Sequence, residues 1–340
     1  MEYKASYFKN RASDLSVDLT SSTAKFPENA LIELSNACNH FCVFCNNPRM
    51  KRKVNILDRD TYFKFLTQGY KYGLREVGLY ATGEPFMIKD INWYISTAKK
   101  IGIERVYLTS NGSLASLEKI QSAHESGLDS IKFSINAATR ETYKIIHGKD
   151  DFVRVTNTLK KLYEWKMKEK KDILILGSFI YTKLTEKEIP LYKKKFSKYM
   201  EDIKMFPAGS QGGRINNIIE KISTENIERD PSTLKPCDMI WNRLHLTCEG
   251  FLTACCIDYE LDLVYADFKN SKKQINTIWN NSIVKKLREK HINMQLDNTV
   301  CKNCLTGSKE KYDKLMHIKM SENKKIKTSD VNKRTLLASQ

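Results

Sequence analysis

A chain of 340 residues, 41% of them hydrophobic, can bury a substantial core, which excludes a wholly disordered protein. No run of about 18 apolar residues occurs, and the opening MEYKASYFKNRASDLSVDLTSS holds no apolar stretch, so neither a membrane span nor a secretory signal is expected. The net charge of +17 comes from lysine spread along the chain, as in WKMKEKKD and LYKKKFSK; no segment joins basic and aromatic residues in a nucleic-acid motif, so it reads as a solvated surface.

Short apolar runs alternate with longer amphipathic ones. Strands are predicted at ALIELS (residues 30–35), EVGLYA (76–81), RVYLTS (105–110), SIKFSI (130–135), ILILGSFI (173–180) and DIKMF (202–206). Each is brief, rich in β-branched or aromatic residues, and closed by Gly, Asn, Thr or Pro. Helical patterns lie between them, among them RDTYFKFLTQGYKYG, IKDINWYISTAKKIG and SLASLEKIQSAHESG, which end at Gly73, Gly102 and Gly127 as helix C-termini should. The alternation predicts an α/β fold, and six βα units suit a partial (β/α)6 TIM-like barrel with its site at the strand C-termini. After about residue 208 the texture changes, with the glycine-containing PAGSQGGRINN followed by six cysteines. The expected organisation is an N-terminal extension (1–25), the partial barrel (26–208), a linker (209–230), a small cysteine-rich module (231–306) and a basic tail (307–340).

The default compartment is a reducing cytoplasm, where nine cysteines read as metal ligands or catalysts rather than disulfides. Three of them, Cys38, Cys42 and Cys45, crowd into CNHFCVFC just after the first strand. Three thiolates do not close a structural zinc site, but they can hold three irons of a 4Fe–4S cluster and leave the fourth open. The stretch resembles the radical S-adenosylmethionine (radical SAM) superfamily, whose signature is Cx3CxΦC with Φ aromatic, here Phe44. ATGEP at the end of the second strand resembles that family's GGEP motif, with Thr82 in place of the first glycine. The resemblance implies that Thr82, Gly83 and Glu84 hold the amino group of S-adenosylmethionine, and that Ser134 and Asn136 contact its ribose region. Polar capping of the following helix is the plainer reading of either of the last two. MFPAG (205–209) would line the adenine. The chemistry implied is one-electron cleavage of the sulfonium to methionine and a 5′-deoxyadenosyl radical, which takes hydrogen from the substrate.

The later cysteines resemble the SPASM or shorter twitch extension of one radical SAM subfamily, sharing a leading Cys237, an EG turn before a strand into a cysteine pair, IWN, and a closing CxxC. The resemblance implies one auxiliary 4Fe–4S cluster on Cys237, Cys255, Cys301 and Cys304. Cys255 is preferred over its neighbour Cys256 by motif position, Cys248 reads as a buried spare, and a structural zinc on the same four thiolates is the main rival. His40 is expected to face solvent or stand behind a ligand, and His147 and His245 to pack or lie at the surface.

Members with this extension modify ribosomal peptides or oxidise sugars and aminocyclitols. The 25 residues before Phe26 are too few for a peptide-leader domain, which favours oxidation of a carbohydrate-derived or other polar small molecule over crosslinking or epimerisation of a peptide. An electron donor such as flavodoxin or ferredoxin is an expected partner; a membrane and nucleic acid are not. A zinc-stabilised nucleic-acid-binding protein is the alternative of another class.

Overall fold

The computed structural model describes residues 17–226, 229–230 and 233–317; the first part of the predicted extension and the tail beyond 317 lie outside the described residues. Nine strands form one sheet in the order β6-β5-β4-β3-β2-β1-β7-β8-β9. They are β1 (Asn29–Ile32), β2 (Glu76–Gly78), β3 (Arg105–Ser110), β4 (Ser130–Ser134), β5 (Leu174–Tyr181), β6 (Asp202–Pro207), β7 (Arg243–Leu246), β8 (Phe251–Thr253) and β9 (Val264–Asp267). Neighbours from β1 to β6 pair in parallel, and the sheet does not close.

The crossovers carry α1 (Arg59–Lys71), α2 (Ile91–Ile101), α3 (Leu117–Glu125), α4 (Arg140–His147), α5 (Phe152–Glu169) and α6 (Ile189–Phe196). Downstream lie α7 (Asn216–Ile222), α8 (Met239–Asn242), α9 (Ile275–Trp279), α10 (Ser282–Ile292) and α11 (Val300–Thr306). Local chemistry sets the ends: Asp58 caps α1 by accepting from Thr61 N, and α2 stops at Gly102, whose φ of 110° an L-residue resists. The predicted helix over residues 113–127 starts later, at Leu117, because Ser113 turns back to bond Asn111 while Ser116 supplies the cap.

The strands' two faces differ. Ala30, Val77, Val106, Ile131 and Ile175 are fully buried in the main core, which the helices share. The alternate residues Leu31, Gly78 and Tyr107 point the other way, into the lumen; a Cβ on Gly78 would sit 2.5 Å from Leu31 Cδ2 and 2.7 Å from Tyr107 Cε2. These six βα units are the partial TIM-like barrel expected from the sequence.

The cysteine-rich segment continues this sheet: β7 pairs in parallel with β1, from Asn29↔Arg243 to Ile32↔Leu246, and β8 and β9 follow antiparallel. The seam is held by a buried ion cluster in which Arg52 bonds Glu33 at 2.5 Å and Glu249 at 2.6 Å, all three side chains 5% exposed or less. Glu33 also accepts from Cys248 N at 3.1 Å and from the Thr82 hydroxyl, so one carboxylate ties β1, the β2 loop and the β7 turn together.

Candidate active site

The loops after β1, β2 and β3 meet at the strand C-termini. Cys38, Cys42 and Cys45 share the loop after β1, close enough that each of the first two thiols feels the charge of its neighbours. Burial pushes all three thiols up, Cys38 to about 12, with the Glu84 charge adding to the rise. Three half-buried thiols that resist ionisation together form a donor set that a cationic metal centre would stabilise as thiolates. Phe44, between them in sequence, is buried in a satellite core with Ile146, Ala208, Ile215 and Ile219, against which Cys42 and Cys45 also pack.

ATGEP folds against the same loop. A Cβ on Gly83 would lie 2.2 Å from the Ser35 carbonyl oxygen and 2.6 Å from that of Ala37, so only glycine lets these backbones approach. Glu84 N donates to Ala37 O at 2.8 Å, and the Glu84 carboxylate accepts from Ser110 Oγ at 2.7 Å, Asn111 N at 2.8 Å and Phe86 N at 3.2 Å. Three donors leave a carboxylate with room for one more, such as an ammonium. Burial raises its pKa to about 7. The Thr82 carbonyl accepts from Asn47 Nδ2 at 2.8 Å, and Asn111 Nδ2 lies 4.0 Å from Cys38 Sγ.

Ser134 shares a 3.0 Å hydroxyl contact with Ser178. Asn136, in the left-handed region at φ 53°, accepts from Ile180 N at 2.8 Å and is 1% exposed, so its oxygen stitches β4 to β5.

Two histidines stand where sequence spacing gave no hint. His147, fully buried, has Nδ1 3.5 Å from Cys42 Sγ and 3.1 Å from His40 Nδ1; its Nε2–H donates to Ile135 O at 2.7 Å. Burial pushes His147 down to about 3, which keeps it neutral, and Tyr143 stacks on its ring at 4.1 Å. His40 is 2% exposed rather than solvent-facing, because its ring bridges His147 and Asp151, 3.2 Å from the latter's carboxylate. Tyr259 is the other unforeseen neighbour: its hydroxyl is 3.4 Å from Cys45 Sγ and donates to Gln211 Oε1 at 2.7 Å.

The second cysteine set surrounds a cavity of about 50 Å³ lined by Cys237, Cys255, Cys301 and Cys304, with Asp258 and His291. Burial raises Cys237 to about 11 and raises Cys301 and Cys304 too, while Cys255 is raised first by its contact with the Cys256 thiol and then by burial. His291 Nδ1 accepts from Cys237 N at 3.3 Å, and burial drops this ring to about 4, so it is neutral. Asp258 fixes the CCID turn by accepting from Thr253 Oγ1 at 2.6 Å and from Asp262 N and Leu263 N. Cys256 does not line the cavity; it lies near His245, Arg243, Lys132 and Tyr80. Cys248 is buried beside Arg52, 3.5 Å from Nη2. Four thiols around one small cavity fit a fully cysteine-ligated iron–sulfur cluster, and the open triplet fits one with an iron left for a cofactor.

Comparison with known proteins agrees with this geometry. The family model of the radical SAM superfamily matches residues 32–189, and that of an iron–sulfur cluster-binding domain, SPASM, matches residues 237–305. The chain belongs to the radical SAM superfamily. The radical SAM match brings S-adenosylmethionine and the 4Fe–4S cluster that binds it, and the SPASM match brings an auxiliary 4Fe–4S cluster. A probable GTP 3′,8-cyclase from Saccharolobus solfataricus is 33% identical over 135 residues, 39% of this chain and 42% of that protein. The chain thus spans about two fifths of the length of the curated relatives it matches. Among solved structures, BtrN in complex with AdoMet and 2-DOIA superimposes with a TM-score of 0.58 at 15% identity, covering 83% of this chain and 94% of BtrN. Streptococcus suis SuiB bound to its precursor peptide SuiA gives 0.57 at 14% identity, covering 78% of this chain and 67% of SuiB. At these identities the likeness is one of fold. Among the described residues, no helix of this radical SAM chain is long and apolar enough to cross a membrane.

Proposed function

We propose that this radical SAM enzyme takes a hydrogen atom from a carbohydrate-derived or other polar small molecule, with dehydrogenation as the outcome. In this reading Cys38, Cys42 and Cys45 hold the SAM-binding cluster, Thr82, Gly83 and Glu84 receive the cofactor's ammonium, and Ser134 and Asn136 lie along its ribose. Cys237, Cys255, Cys301 and Cys304 hold the auxiliary cluster. When bound, the cluster and S-adenosylmethionine supply a carbon radical able to take hydrogen from an unactivated C–H bond.

The observation that carries the reading is the junction of the open cysteine triplet with Glu84 and its spare acceptor position, above a lumen lined by Tyr80, Tyr107, Lys132 and Arg243. Such a lining orients a polar substrate and shields the chemistry from bulk water. Net two-electron oxidation also needs a site that accepts the substrate radical's electron. The four-thiol cavity supports that role, and Tyr259 links its segment to Cys45. Cyclisation, as named for the Saccharolobus relative, and maturation of a peptide, as SuiB's bound precursor suggests, are the competing outcomes.

Anaerobically reconstituted protein, given dithionite and S-adenosylmethionine, is expected to form 5′-deoxyadenosine and methionine in equal amounts. With a true substrate, a product two hydrogens lighter supports dehydrogenation, whereas an isobaric or ring-closed product replaces it.

A further inference from the structure

The lumen holds a concentration of positive charge that neither cysteine set explains. Lys132 lies on the inward face of β4, its Nζ 5.9 Å from the centre of the Tyr80 ring, which in turn packs 5.9 Å from Tyr107. Lys204 on β6 faces Ser178 across the ladder, and Arg243 opens β7 opposite Asn29. Although they come from three strands, Lys132, Lys204 and Arg243 lie within repulsive range of one another, against the carboxylate of Asp238 near the last two.

Folding such a cluster is costly, since each cation loses water and faces like charge. Burial and the Arg243 charge bring Lys132 down to about 8. Two further polar groups point to a ligand. Buried His245, opposite Leu31 on the lumen face, has the Cys256 thiol beside it but no nitrogen or oxygen partner at either ring nitrogen among the described residues, and Arg243 Nε has no partner either. Native proteins rarely leave such groups unmatched, and sites built to receive a polar ligand are where they do.

We propose that Lys132, Lys204 and Arg243, with His245 beside them, form an anion-binding subsite that holds a phosphate or carboxylate group of the substrate in the lumen. This rests on the lumen being the substrate chamber of the radical reaction, and it narrows the substrate from polar to anionic. A guanidinium gives a planar fork suited to either oxyanion, and the two ammonium groups add charge without fixed geometry.

Calorimetric titration of the reconstituted protein at about 0.15 M salt, with S-adenosylmethionine saturating, tests this using sodium pyrophosphate and malonate as probes. Saturable one-site binding of at least one probe is expected, and the stronger of the two identifies the phosphate or the carboxylate class. Arg243→Met and the more exposed Lys204→Met should each weaken binding at least about tenfold, while Lys160→Met on the outer face of α5 should not. Absence of saturable binding, equal loss in Lys160→Met, no loss in the two lumen variants, or displacement of the probe by S-adenosylmethionine would each overturn the subsite. 5′-Deoxyadenosine formation by the wild-type protein reports separately on the radical reading, so the two can fail independently.

Discussion

The hydroxyl of Tyr259 sits 3.4 Å from Cys45 Sγ, although the two residues are 214 positions apart and belong to different cysteine sets. Tyr259 follows Cys255 and Cys256 in the turn fixed by Asp258, so the segment lining the auxiliary cavity also touches the SAM-side loop. Tyr259 has one proton, given to Gln211 Oε1 while Cys45 is a neutral thiol; a metal-bound Cys45 thiolate is the stronger acceptor, and a hydrogen bond to it stabilises the more reduced cluster and raises its potential. Tyr259→Phe is therefore expected to keep its iron but move the SAM-side cluster to a more negative midpoint potential, measured by redox titration followed by electron paramagnetic resonance. An unchanged potential would reduce the contact to packing.

The paired cysteines make a sharper prediction. Cys255 lines the four-thiol cavity and Cys256 does not. Cys255→Ala should reduce reconstituted iron from about eight to about four per chain, while Cys256→Ala should retain about eight. Iron analysis of the two variants side by side decides it, and the reverse ranking would assign the ligand to Cys256.

Gly83 faces backbone on one side at distances no Cβ tolerates. Gly83→Ala must displace the loop after β1, with a cost of about 1–3 kcal/mol and a marked loss of affinity for S-adenosylmethionine. Thermal unfolding and equilibrium binding read the two effects separately.

Glu84 gives a pH dependence. Its pKa is raised to about 7 by burial, so the carboxylate is charged above that value and neutral below it. An ammonium gains from the charged form only, so affinity for S-adenosylmethionine should fall as pH drops from about 8 to about 6. Glu84→Gln should bind weakly with a flat profile across that range.

The ion cluster at the seam predicts a stability effect. Arg52→Met leaves Glu33 and Glu249 buried without their cation, which should cost about 3–5 kcal/mol. Urea denaturation monitored by tryptophan fluorescence measures it, and a loss near zero would mean that the seam relaxes to admit water.

Much of this was legible from local signals. The six apolar runs became β1 to β6, and β3 occupies the predicted residues because alternation and the following Asn-Gly mark both its ends. β2 ends at Gly78, short of the predicted Ala81, because the next residues turn so that Gly83 can pack on the β1 loop. The spacing of Cys38, Cys42 and Cys45 pointed to the first donor set because those thiols are close in sequence, whereas the four thiols around the second cavity are spread from 237 to 304 and were grouped only by the resemblance to the SPASM extension. His147 beside Cys42, Tyr259 beside Cys45, and Arg52 between Glu33 and Glu249 left none. Each contact joins residues from separate elements, and nothing in a single segment encodes its partner. The pairing of β7 with β1 was hidden for the same reason: Arg243–Leu246 is too short a run to stand out.

The most direct test of the two-cluster assignment is the iron, sulfide and zinc content of anaerobically reconstituted protein, read together with 5′-deoxyadenosine formation. About eight irons and eight sulfides per chain, little zinc, and 5′-deoxyadenosine on adding dithionite and S-adenosylmethionine are expected. Two zincs, no iron and no cleavage would contradict it.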